Sequence, residues 1–195
     1  MLILVLNCGS SSIKFKLYDM KDESQLASGL VESIGSDDAI FGYKTYASSE
    51  IKETLPIKNH SIGLSAILNK LTSKEVGVIK DVSEIDSVGH RVVHGGEKFS
   101  TSILINQEVI DEIEKSIPLA PLHNPPNLSG ILACKEIMPD TPQVAVFDTA
   151  FHHTLPDYAF IYPLPYELYE SDKIRRYGFH GISHRYVALE AAKMM

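Results

Sequence analysis

A short apolar run at the start of the chain, Leu2 to Leu6, most constrains the fold. It contains no polar residue and ends at Asn7-Cys8-Gly9, which is typical of a strand buried at the centre of a sheet. The next segment, Ser12 to Tyr18, alternates apolar and polar residues and predicts a strand with one polar face. The small residues Gly9-Ser10-Ser11 between them predict a turn, so the two segments form a β-hairpin with a polar tip.

Strand and helix signals continue along the chain. Further strands are predicted at Gln25 to Ile34, Val88 to Val93 and Gln143 to Phe147, and residues 35–58 are interpreted as an irregular β insertion. The first helix is predicted from the spacing of Leu64, Ile67, Leu68 and Leu71. The pattern predicts an α/β or mixed layered domain.

Three more helices are predicted in the second half. One is capped by Asn106, carries Ile110, Ile113 and Ile117, and stops at Pro118. Another starts near Pro126 and reaches Met138, with Leu128, Ile131 and Leu132 on its inner face. The last runs from His184 onward. Its end, Ala188 to Met195, has no terminating residue, so we expect the natural protein to continue.

Composition excludes several classes of protein. The chain has 195 residues, 44% of them hydrophobic, which suits one packed domain and argues against disorder. The net charge of -7 and the lack of a broad basic face argue against nucleic-acid binding. Cys8 and Cys134 lie in no zinc or disulfide pattern, and the start resembles neither a signal peptide nor a membrane span. A cytoplasmic location is therefore expected.

Five polar clusters follow the predicted strand ends and turns. In chain order they are NCGSSSIK (7–14), GHRVVHGGE (89–97), APLHNPP (120–126), VFDTAFHH (146–153) and RRYGFHGISH (175–184). In the first cluster, turn N–H groups and hydroxyls can surround an anion, Lys14 adds a cation, and Asn7 offers an oxygen to a hard metal. The segment is not a Walker P-loop, and a plain polar hairpin tip remains the alternative.

The second and third clusters favour recognition of a small acid. Arg91 and Val93 lie on one face of a strand, and a guanidinium beside an apolar residue suits a carboxylate with a short alkyl tail. His123 stands next to Leu122 before a helix start, on a backbone stiffened by prolines, where it can donate to a charged ligand. A salt-bridged arginine and an ordinary loop histidine are the structural alternatives.

The last two clusters add acidic and imidazole groups. Asp148 follows an apolar strand, a common place for a carboxylate that holds a metal or nucleophile. Two glycines flank Phe179-His180, which we interpret as close backbone approach to a ligand. The pair His152-His153 is a poor zinc site, because adjacent side chains diverge on a strand, and Arg175-Arg176 is interpreted as solvated surface. Together the clusters predict a phosphoryl-transfer or anion-binding domain.

In this order, the clusters resemble the signature motifs of the acetate kinase family. The resemblance covers residues 3–195 and is weakest over 35–60, and Ile182 stands where the family usually has Thr. It implies an α/β fold, a ribonuclease H-like domain of the acetate and sugar kinase, heat-shock and actin superfamily. This acyl-acid- and phosphate-binding domain would span residues 1–195, with a second, adenosine-binding domain outside the chain.

The resemblance also implies residue roles. Arg91 would bind the acyl carboxylate within apolar walls formed by Val93, Leu122 and Phe179. His123 and His180 would steady the transferring phosphoryl group, and Asp148 would be the catalytic acidic residue. The remaining implied contacts are with the nucleotide phosphates, through Lys14, Ser10 and Ser12, and with magnesium, through Asn7.

The implied reaction is reversible, in-line transfer of the ATP γ-phosphoryl group to acetate, giving acetyl phosphate and ADP. Mg²⁺ would assist, with Mn²⁺ as an alternative, and the full-length protein would be a homodimer that binds neither nucleic acid nor membrane. The isolated chain is expected to be inactive. Two alternatives remain: a kinase for propionate or butyrate, and a non-catalytic module that uses the same fold for binding or assembly.

Overall fold

The hairpin predicted at the start of the chain forms the middle of an eight-stranded sheet in the computed structural model, which describes residues 1–46 and 49–195. Strands β1 (Leu2–Gly9) and β2 (Ser12–Asp19) pair antiparallel around a two-residue turn. The other strands are β3 (Ser24–Glu32), β4 (Ser36–Thr45), β5 (Ile51–Ile57), β6 (Ile85–Val92), β7 (Ile103–Leu104) and β8 (Gln143–Phe147). Their order across the sheet is β5-β4-β3-β2-β1-β6-β8-β7.

Strands β1 to β5 form a continuous antiparallel meander. The predicted irregular insertion over residues 35–58 is therefore wrong for 36–45 and 51–57, which are regular paired strands, while 47 and 48 lie outside the described residues. In β4, Phe41 and Tyr43 are buried and their rings pack near Phe15 of β2. Glycine, serine and threonine between such residues weaken the alternation, so the sequence pattern understates the strand.

Strands β1, β6 and β8 are parallel to one another. The carboxyl ends of parallel strands meet at one edge of a sheet, and ligands of open α/β sheets bind there. This edge therefore gathers Asn7 near the end of β1, Arg91 near the end of β6, and Asp148 directly after β8. The short β7 pairs antiparallel with β8 and closes the outer edge.

Six helices complete the described part of the chain. They are α1 (His60–Leu71), α2 (Gln107–Lys115), α3 (Asn124–Ile137), α4 (Asp157–Phe160), α5 (Glu167–Asp172) and α6 (Gly181–Met194). Helix α1 has the predicted buried residues Leu64, Ile67, Leu68 and Leu71, and α2 has the predicted cap, because the Asn106 side chain accepts a hydrogen bond from the Val109 N–H at 3.0 Å. None of the described helices is long and apolar enough to cross a bilayer.

Several helix details differ from the prediction. Helix α3 starts at Asn124 with prolines in its first turn, and α6 starts at Gly181. On α3, Ile131 is buried but Leu132 is 45% exposed, so its predicted inward orientation is wrong. Helices α1 and α3 pack together, and the core side chains of β1, such as Leu4 and Leu6, face this side.

The opposite face of β1 is less covered than its apolar sequence predicted. Val5 is 38% exposed, whereas Leu4 and Leu6 on the helical face are buried. The apolar run is therefore central in the sheet, as predicted, but only one of its faces is fully buried.

Helix α3 ties the ends of two site-forming strands together through Asn127. The Asn127 Nδ2 group donates to the Cys8 carbonyl on β1 at 2.7 Å, and its Oδ1 accepts from the Val93 N–H after β6 at 3.0 Å. The side chain is almost fully buried. One amide thus satisfies a donor and an acceptor that no water could easily reach.

We expect Asn127→Ala to destabilise the chain by about 2–4 kcal/mol, since it leaves two buried backbone groups unpaired. Urea unfolding measures the change. Ser129→Ala on the same helix is the matched control, because Ser129 is exposed and bonds only within the helix, and it should change stability by less than about 0.5 kcal/mol. Equal stability of the two variants would contradict the role of Asn127 in joining the two strand ends.

Two buried histidines link stability to pH. Burial lowers the pKa of both His90 and His94 from 6.5 to about 4, and for His90 a hydrogen bond with the Gln143 side chain partly opposes this. Between these pH values the unfolded chain binds protons that the folded chain excludes. Folding is therefore weakened as pH falls from about 6.5 to about 4.

We expect the free energy of unfolding to fall by roughly 4 kcal/mol between pH 7 and pH 5, from these two histidines together. Urea titrations at the two pH values measure it. In a His90→Asn variant the pH dependence should be roughly halved. A pH dependence that is unchanged in that variant would exclude His90 as a source.

Candidate active site

An ion pair joins the ends of two parallel strands. Arg91 Nη2 lies 2.5 Å from Asp148 Oδ2, and Arg91 Nε donates to both carboxylate oxygens at 3.1 and 3.2 Å. Arg91 Nη1 also donates to Asn7 Oδ1 at 3.3 Å. Asp148 is 2% exposed and Arg91 is 36% exposed, so the carboxylate is sealed behind a guanidinium that reaches solvent. Residues from β1, β6 and the segment after β8 thus meet in one network.

The backbone of Asp148 is held on both sides. Its N–H donates to the Val92 carbonyl at 2.9 Å, and its carbonyl accepts from the Gly181 N–H at 2.8 Å. A Cβ at position 181 would lie 2.3 Å from the Asp148 carbonyl oxygen, so only glycine fits there. The two glycines around Phe179-His180 had been interpreted as allowing ligand approach. For Gly181 the close neighbour is instead Asp148, and for Gly178, at φ 74°, it is His152.

A cavity of about 370 Å³ opens beside the ion pair. Seven of the residues predicted to form the site line it: Arg91, Val93, Leu122, His123, Asp148, Phe179 and His180. The walls are mostly apolar, and the charged groups are Arg91 and Asp148. Leu122 and Phe179 are 76% and 41% exposed, so the cavity is open on their side.

The two histidines of the cavity stand at helix starts. His123 is the residue before α3, as predicted. His180 precedes α6 in the left-handed conformation, with φ 58° and ψ 23°. Such a backbone is strained for a residue other than glycine, and strain of this kind concentrates at functional sites.

The predicted phosphate contacts lie apart from this cavity. Lys14 pairs across the hairpin with Asn7, and both line a second cavity of about 440 Å³ on the open face of the sheet. Ser10 lies in the hairpin turn, Ser12 is the first residue of β2, and neither lines either cavity. Asn7 connects the two regions, because its side chain also bonds to Arg91.

The oxygen donors at the sheet edge fit Mg²⁺ better than a transition metal. Among the described residues no group of three or more His, Cys, Asp or Glu side chains could hold a metal ion. Asn7 Oδ1 and the Asp148 carboxylate, both bonded to Arg91, are hard oxygen donors. Mg²⁺ commonly takes one or two protein oxygens beside phosphate oxygens and water, so this pair suits a metal that arrives with a phosphate.

Sequence analysis missed several supporting residues. Asn124, fully buried, accepts from the His94 N–H and donates to the His94 carbonyl. The interpretation of Arg175 as solvated surface is wrong: its side chain is 10% exposed and bonds to Glu97 at 2.7 Å. The guanidinium of Arg175 also lies 3.5 Å from the centre of the Phe160 ring. Each of these contacts joins residues that are far apart in the sequence, so no local pattern predicts it. The one available signal is that a polar residue next to a motif often has a structural partner.

The chain is similar to known acetate and propionate kinases along its whole length. An acetate kinase from Clostridium botulinum is 60% identical over the whole chain, which covers 49% of that protein. The solved acetate kinase of Porphyromonas gingivalis superposes with a TM-score of 0.94 at 46% identity, covering 99% of this chain and 48% of the other. A propionate kinase from Francisella tularensis superposes with a TM-score of 0.91 at 44% identity, with the same coverage.

The chain spans about half the length of the curated relatives it matches. Its mixed sheet with helices is the fold of the acetate and sugar kinase, heat-shock protein and actin group, to which the solved neighbours belong. The model of the acetokinase family matches residues 2–195. Because that match covers nearly every residue, this chain belongs to the acetokinase family.

Proposed function

We propose that this chain is the acid- and phosphate-binding domain of an acetate kinase. The enzyme would transfer the γ-phosphoryl group of ATP to acetate and back, giving acetyl phosphate and ADP. The observation that carries the proposal is the cavity in which the Arg91–Asp148 pair lies against the apolar Val93, Leu122 and Phe179. A carboxylate with a short alkyl tail matches that combination of one guanidinium and apolar walls.

In this proposal the acid carboxylate binds to the N–H groups of Arg91 that Asp148 and Asn7 leave free. The guanidinium has five N–H donors, and Asp148 and Asn7 together use three of them, one on each nitrogen. Arg91 is partly exposed, so an incoming carboxylate can reach it while Asp148 remains buried behind it. The alkyl tail then faces Val93, Leu122 and Phe179 and excludes water.

Charge neutralisation is the main requirement of the chemistry, since two anions must meet. A carboxylic acid with a pKa of about 4–5 is already ionised at neutral pH, so Asp148 need not remove a proton from it. We propose that Asp148 orients Arg91 and the acid, while His123 and His180 donate hydrogen bonds to the transferring phosphoryl group. Bound Mg²⁺, held through Asn7 and Asp148 together with the phosphates, would reduce the remaining repulsion.

The hairpin of β1 and β2 is proposed to approach the nucleotide phosphates. Its turn exposes Ser10, and Lys14 lies on the same face as Asn7. Turn N–H groups, hydroxyls and an ammonium group together suit a polyphosphate.

The rest of the active site is proposed to come from a second domain that binds adenosine, with the full-length protein acting as a homodimer. The relatives are about twice as long as this chain, which leaves room for such a domain. A kinase for propionate is a second candidate, favoured by the likeness to the Francisella tularensis propionate kinase. One methylene changes the free energy of binding by only ~1–3 kcal/mol, so small differences in the apolar walls are enough to set the preference between acetate and propionate.

We expect Arg91→Ala and Asp148→Asn, each made in the full-length protein, to lower kcat/KM for acetate by about a hundredfold or more. Arg91→Ala should raise the KM for acetate, and Asp148→Asn should mainly lower kcat. Acyl phosphate formation, trapped with hydroxylamine, measures both. Arg185→Ala is the control, because Arg185 is exposed on α6 outside the cavity. Near-normal turnover of Arg91→Ala would refute the role in acid binding.

The 195-residue chain alone should form no acyl phosphate from ATP and acetate, since the proposed adenosine site lies outside it. The same hydroxylamine assay compares the chain with the full-length protein at equal concentration. ATP-dependent acyl phosphate formation by the chain alone would refute the two-domain proposal.

A further inference from the structure

A buried histidine lies directly behind the wall of the cavity that Arg91 and Asp148 line. His94 is 0% exposed and follows Val93, which lines the cavity. Its ring centre lies 4.3 Å from that of Tyr177, at an interplanar angle of 70°, and 5.9 Å from that of Phe179, at 59°. Of these two aromatic residues, Phe179 faces the cavity, so His94 forms the layer behind it.

The backbone of His94 cannot shift easily. Asn124 accepts from the His94 N–H at 3.1 Å and donates to the His94 carbonyl at 2.9 Å. A further bond from Asn124 Nδ2 to the Ile113 carbonyl anchors the amide to α2. The fully buried Asn124 side chain therefore fixes the backbone of His94. The residue before Asn124, His123, lines the cavity.

The ring of His94 is fixed as well. The Gly96 N–H donates to His94 Nδ1 at 3.0 Å, so Nδ1 carries the lone pair and the proton of the neutral ring is on Nε2. Nε2 is buried and has no hydrogen-bond partner among the described residues. Burial lowers the pKa of His94 to about 4, which keeps the ring neutral near pH 7. The T-shaped contact with Tyr177 holds the ring further.

Phe179, by contrast, contacts no aromatic ring other than that of His94 among the described residues. Its side chain is 41% exposed, and its neighbours Gly178 and His180 both have left-handed backbones. The depth to which Phe179 enters the cavity therefore depends on the ring packed behind it. Removing the outer part of the His94 ring would let Phe179 move back and lengthen the space for an alkyl tail.

We propose that His94 is a positioning residue that sets the length of acid the cavity accepts, by backing Phe179. The inference rests on the proposed function of the cavity and deepens it. His94 touches no reacting atom, and acts through Phe179 alone. If His94 had only a structural role, replacing it would lower the stability but would not change the ratio of kcat/KM between different acids.

His94→Asn in the full-length protein tests this. The Asn Oδ1 can replace Nδ1 as acceptor for the Gly96 N–H, while the outer half of the ring is lost. We expect the ratio of kcat/KM for propionate to that for acetate to rise about fivefold or more, within the range that one methylene allows. His94→Gln, which keeps more of the buried volume, should shift the ratio in the same direction by less.

Two controls separate this role from stability. His90→Asn removes another buried histidine, on β6, that does not line the cavity, and it should lower the melting temperature without changing the acid ratio. In a Phe179→Ala background, His94→Asn should no longer change the ratio, because the residue through which it acts is gone.

An unchanged acid ratio in both His94→Asn and His94→Gln, with an active wild-type enzyme, would overturn the inference about His94 and leave the proposed function intact. A further shift in the Phe179→Ala background would overturn the route through Phe179. Absence of acyl phosphate from acetate, propionate and butyrate in the wild-type protein would instead overturn the proposed function itself.

Discussion

The ion pair between Arg91 and Asp148 is the interaction on which the rest of the site depends. It joins β6 to the segment after β8, and Asn7 extends it to β1. A buried carboxylate without a neighbouring cation would strongly destabilise the folded state, so the fold requires Arg91 beside Asp148. The same requirement leaves one guanidinium at the floor of an apolar cavity.

Local signals predicted much of the fold and of the site. The apolar run of β1, the cap at Asn106 and the strand that ends at Phe147 are short-range patterns, and each element was found where it was predicted. The side chains predicted to surround an acid line one cavity because they lie at the ends of parallel strands or just before helices at the same edge.

Other features depend on contacts between distant residues, which the sequence does not display. Residues 36–45 form a regular strand because Phe41 and Tyr43 pack with Phe15, not because their own pattern is strong. The short helices α4 and α5 are too brief to show a period. Arg175 is buried by Glu97 and Phe160, and the link between Asn124 and His94 spans thirty residues. Propensity and periodicity contain no information on such pairs.

The hydrogen bond between the Gly181 N–H and the Asp148 carbonyl joins two chemically different parts of the site. His180 directly precedes the donor, and Asp148 supplies the acceptor. Their relative orientation is therefore established when the chain folds and not when a ligand arrives. The rotational entropy of arranging the imidazole and the carboxylate is lost once, during folding, and an anion that binds between them does not bear that cost again.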